Sequence, residues 1–111
     1  MKVSFEDYDQ LTVMAIKGEM LAEDIDRFRK DSIDRMNSGI RDFVIDMANL
    51  EFIDSKGLET LLWLQDQCAE RLGQVRLSGL RDNIRQIMTM TRLSPRFDCH
   101  EGIDAAIKSL R

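Results

Sequence analysis

The chain has 111 residues, of which 43% are hydrophobic and 32% charged, and its net charge is -4. That length suits one domain, 1–111, able to bury its own core, and the balance excludes a disordered segment. The acidic balance argues against a nucleic-acid partner, and no apolar run nears the roughly 20 residues of a membrane span.

MKVSFEDYDQ at the start holds no apolar signal-peptide core. Cys68 and Cys99 lie far apart and suggest no disulfide framework, so a cytoplasmic location is expected. KVSFEDY and LTVMAIKG (Leu11 to Gly18) read as two strands joined by a turn in DYDQ. From Leu21 the period becomes helical, with Leu21, Ile25, Phe28, Ser32 and Met36 on one face. Asn37, Ser38 and Gly39 stop that helix. DFVIDM is a short, nearly continuous apolar strand, which implies cover on more than one side.

A second helix is predicted from about Ser55, with Leu58, Leu61, Leu62, Gln65, Cys68, Ala69 and Leu72 as its stripe and Gly73 as its stop. VRLSG reads as a strand. LRDNIRQIMTMTRL reads as a helix facing inward through Leu80, Ile84, Ile87 and Met88, ended by Pro95. RFDCH is a short last strand, and GIDAAIKSLR closes as a helix with Ile103, Ala106, Ile107 and Leu110 inward. The order β-β-α-β-α-β-α-β-α predicts an α/β fold with a mixed sheet.

The chemistry gathers at NLEFIDSKGLETLLWL, where an apolar approach meets a polar step and then a helix. Ser55 at that junction admits three readings. As a nucleophile it needs a base and an oxyanion hole. The sequence offers only His100 as histidine and lacks the G-x-S-x-G elbow. No catalytic residue is therefore assigned. As a helix N-cap, its oxygen would accept from a free N–H of the first turn, although Glu59 is one residue late for a capping box. As a phosphoacceptor, it sits where a helix start tolerates an added anion.

The segment FVIDMANLEFIDSKGLETLL resembles the central signature of STAS domains of the anti-sigma factor antagonist group. The matching core is Phe52-Ile53-Asp54-Ser55-Lys56-Gly57-Leu58. LTVMAIKGEM is similar to that family's early strand, and the stretch from Gly73 to Leu110 is similar to its closing elements. The resemblance implies a STAS-like mixed sheet with helices packed mainly on one face. It also implies partner switching. The unmodified protein would bind an anti-sigma factor that is a serine kinase of the GHKL type. Phosphorylation at Ser55 would end that binding, and a PP2C-type phosphatase would reverse it. On that basis the chain is a substrate and binding module, not an enzyme. Its alternative is a STAS scaffold or transport accessory protein that is never phosphorylated. Lys56 departs from the family pattern, which usually has a second Ser or Thr there.

The candidate partner-binding set is Asp54, Ser55, Lys56, Gly57 and Trp63. Asp54 either orients the loop or helps a kinase recognise it, or else is a solvated charge that favours the helix start. Trp63 lies off the apolar stripe, two turns from Lys56. It either anchors a partner or packs on a neighbouring helix. Asp46, at a strand end, lacks the acidic pair and late lysine of receiver chemistry and reads as structural. Met88 and Met90 read as core filler. Cys99-His100 is too small a set for zinc, so no metal and no cofactor are expected.

Overall fold

Alternation builds the first hairpin. β1 (Lys2–Tyr8) and β2 (Leu11–Met20) pair antiparallel, from Lys2 opposite Lys17 to Tyr8 opposite Leu11. Val3 and Phe5 pack on the core, while Lys2, Ser4 and Glu6 are exposed, as a period of two requires. Asp9 takes the left-handed conformation in the turn (φ 55°), which its short polar side chain tolerates. The structure is a computed structural model and describes residues 1–110.

β3 (Asp42–Asp46), β5 (Val75–Ser78) and β6 (Cys99–His100) continue the sheet in parallel, in the order β1-β2-β3-β5-β6. One further strand, β4 (Leu50–Ile53), is absent from the sequence expectations. It pairs parallel with the far half of β2, Gly18 to Met20, where the register shifts. Only Leu50 and Ile53 of its four residues are buried, so it carries no alternation to read.

Three helices cover one face: α1 (Ile25–Asn37), α2 (Ser55–Glu70) and α3 (Asp82–Met90). Phe28, Leu61, Leu64 and Ile84 from these helices share a buried cluster with Met14, Ile16, Phe43, Ile45 and Leu77 from the strands. The short α4 (Ile103–Lys108) covers the other face, where Ala106 packs with Val13 and Val44. The helices are thus mainly on one face. Val44, between Phe43 and Ile45, faces α4, so DFVIDM is apolar because both faces of β3 are covered.

Several details depart from expectation, among them Met90, which is 82% exposed rather than core filler, unlike Met88. A 3-10 turn, Ala22–Asp24, precedes α1, so the regular helix starts at Ile25 rather than Leu21. Leu72 is not on the inward stripe of α2. That helix ends at Glu70 with Arg71 as its C-cap, Leu72 takes φ 62° and the residue is 86% exposed. Gly73 is therefore not the left-handed stop. It is required by contact, since a Cβ there would lie 1.9 Å from the Arg41 carbonyl oxygen.

Candidate functional site

β4 ends at Ile53, and the chain turns at Asp54 in an extended conformation (φ -92°, ψ -179°). That geometry makes Asp54 the N-cap of α2 and Ser55 its first helical residue. The cap reading of Ser55 is thereby corrected. The Asp54 carboxylate accepts from the Gly57 N–H (2.8 Å), because only an extended residue can turn its side chain back over the first turn.

The second carboxylate oxygen of Asp54 reaches out of the helix and accepts from the Ala22 N–H at 2.9 Å. The backbone of Asp54 adds two more ties: its N–H donates to the Met20 carbonyl (3.2 Å) and its carbonyl accepts from Leu58 (3.0 Å). One residue therefore fastens the end of β2, the 3-10 turn and the start of α2. The Asp54 carboxylate thus both holds the loop and stands at the helix start.

Ser55 is exposed, and the side-chain hydrogen bonds at this junction use Asp54, Lys56, Glu59 and Thr60 but not the Ser55 hydroxyl. Lys56 is exposed and its Nζ lies 3.4 Å from Glu59 Oε2, a surface pair worth about 0–1 kcal/mol. Gly57 is buried. A Cβ there would meet Ile53 Cγ1 at 2.5 Å and the Met20 carbonyl oxygen at 3.0 Å. Its glycine lets the first turn of α2 settle on β2 and β4, and it offers no side chain to a partner.

Trp63 packs half-buried against the core, with the Arg29 guanidinium of α1 5.2 Å from its ring centroid. It belongs to the seam between α1 and α2, where the cation–π contact is worth about 0.5–1 kcal/mol. Sequence reasoning missed Phe52. It is 41% exposed and pairs in register with Glu19 at the end of β2. Its signal was the apolar pair Phe52-Ile53, which a strand must split into one outward and one inward residue.

The hydrolase reading gains no base. His100 is on β6, beyond β3 and β5 from β2, whereas Ser55 follows β4 on the far half of β2. Among the described residues no group of three or more His, Cys, Asp or Glu is placed to hold a metal, and no helix is long and apolar enough to cross a membrane. Asp46 keeps a structural role, accepting from the Ala48 N–H at 3.1 Å.

Residues 2–106 match the model of the STAS domain. The chain belongs to the STAS domain family. This STAS domain is similar to BtrV of Bordetella bronchiseptica, named for an anti-sigma factor antagonist role. The two share 21% identity over 98% of this chain and 97% of that one. A Thermotoga maritima protein named for the same role shares the fold, with a TM-score of 0.90 and 18% identity over 98% of this chain and 94% of that one. So does SpoIIAA of Bacillus in its phosphorylated form, with a TM-score of 0.76 and 17% identity over 99% of this chain and 100% of that one.

Proposed function

We propose that this STAS domain is an anti-sigma factor antagonist that works by partner switching. Unmodified, it binds an anti-sigma factor that is a serine kinase of the GHKL type, in the cytoplasm. That kinase transfers a phosphoryl group from ATP to Ser55 Oγ, and a PP2C-type phosphatase returns the hydroxyl. The chain supplies the acceptor and the docking surface; the partners supply the catalysis.

One observation carries this reading: the Ser55 hydroxyl is exposed and idle while Asp54, not Ser55, holds the helix start. Modification of Ser55 therefore takes no bond from the fold. The phosphate adds about -1.5 to -2 charge at the first turn, where free N–H groups favour an anion. Its effect falls on the surface that a partner meets, which includes the exposed Lys56 and Phe52. The named role of BtrV and the existence of SpoIIAA in a phosphorylated form support the same reading.

The test is titration of the kinase partner with wild type, Ser55→Ala, Ser55→Asp and the phosphorylated protein. Ser55→Ala should bind as wild type. Phosphorylation should weaken binding about a hundredfold, which is about 2.7 kcal/mol. Lys56 softens that change, so Lys56→Ser should enlarge it. Equal affinity of all four folded samples would refute the switch and return the domain to an unphosphorylated scaffold.

A further inference from the structure

The sheet has two unequal ends. At one end β6 is only two residues long. At the other, β1 presents seven residues that pair with β2 on one side alone. The outer N–H and C=O groups of β1 form an open row with no proline and no bulge, the kind of edge that pairs with another strand.

We propose that β1 is the interface of a two-fold homodimer, in which β1 of each copy pairs antiparallel with β1 of the other and Ser4 lies on the axis. The register follows from the side chains. Residues of β1 alternate between faces, and directly opposed residues must share a face, so a two-fold axis normal to the sheet passes through a residue. With the axis at Ser4, Lys2 faces Glu6 of the second copy twice, and Val3 faces Phe5 twice. The open face gains opposite charges and the core face gains apolar pairs. With the axis at Phe5, Val3 faces the charged Asp7. With the axis at Glu6, like charges meet. With the axis at Val3, Lys2 faces the uncharged Ser4 and the charge pairing with Glu6 is lost.

The side chains are free for these roles. Lys2 is exposed and takes part in no ion pair within its own chain among the described residues. Glu6 is exposed and holds only the Tyr8 hydroxyl, at 2.6 Å through Oε2. Val3 and Phe5 are half-buried, with the Arg35 guanidinium 4.2 Å from the Phe5 centroid, so each keeps some apolar surface for a second copy to cover. Such pairing is isologous and closed, and it covers the longest unpaired edge among the described strands. β4 and the start of α2 lie on the other side of β2, so Ser55 stays accessible in the dimer.

Sedimentation equilibrium over a micromolar concentration series tests this on wild type, Lys2→Glu, Glu6→Lys and an equimolar mixture of the two variants. Wild type should dimerise. Each single swap sets like charges opposite one another at two places and should weaken the dimer about tenfold or more. The mixture should recover it, because both contacts then join opposite charges. As a second readout, Ser4→Cys should cross-link to a dimer under mild oxidation, since opposed residues lie about 4.5–5.5 Å apart at Cα. Val3→Cys, opposed to Phe5, should not. A wild type that stays monomeric throughout, or a dimer that neither swap weakens, overturns the proposal.

Discussion

Asp54→Ala is the sharpest test of how the site is built. The substitution removes the acceptor for the Gly57 N–H, a cap worth about 1 kcal/mol. It also removes the charged acceptor for the Ala22 N–H, worth about 1.5 kcal/mol before water repairs part of that exposed bond. The sum is about 2 kcal/mol. At about 4 °C per kcal/mol for a domain of this size, Tm should fall by about 8 °C. Asp54→Asn keeps an acceptor for Gly57 but turns an amide toward Ala22, so it should lose about 1 kcal/mol. Ser55→Ala touches neither bond and should stay within about 0.5 kcal/mol of wild type. The sequence alone predicts the opposite, a loss of about 1 kcal/mol at Ser55 through its lost cap. Thermal denaturation of the three variants decides between them. If Ser55→Ala lost as much as Asp54→Ala, or if Asp54→Ala were neutral, the clamp would be wrong.

Gly73→Ala should destabilise the fold by 3 kcal/mol or more, on the order of severe overpacking, because its Cβ would lie 1.9 Å from a backbone oxygen that cannot swing away. Urea titration measures it. Leu72→Gly should stabilise by about 0.5–1 kcal/mol, since the exposed Leu72 holds a left-handed φ of 62° that glycine adopts freely; an unchanged or lower Tm counts against this. Burial pushes the Cys68 thiol from 9.0 up to about 12, so Cys68 should resist a thiol-reactive dye at pH 8 until denaturant is added. Because its folded value is raised, Cys68 contributes stability that is complete below its unfolded value and is lost as pH rises from about 9 toward about 12. Cys68→Ala should flatten that part of the stability profile.

Much of the architecture is legible in residue order because its signals are local. Leu58, Leu61 and Cys68 recur at helical spacing, and all three are buried. The apolar run of β3 announced cover on both faces, which α4 completes. The junction of strand and helix at Ser55 was legible through the abrupt change from Phe52-Ile53 to Asp54-Ser55. β4 was not, because four residues defined by pairing with a strand some thirty positions earlier carry no period of their own. Leu72 was misplaced because a 3.6-residue count runs on past the point where the backbone leaves the helix.

A serine at the start of a helix, and an apolar face on the helix behind it, can be read from residue order alone. Spacing and polarity act over a few residues, and both properties are local. What each residue there does depends on the folded chain. The letters point to Ser55 as the cap, and folding gives that role to Asp54. Ala22 is thirty-two positions from Asp54, and only folding brings its N–H within 2.9 Å of that carboxylate. The same holds for Gly57, whose missing side chain matters because Ile53 and Met20 close in on it, and for Trp63, which finds Arg29 on another helix. Periodicity records which way a residue faces, but the partner it meets is set by long-range packing.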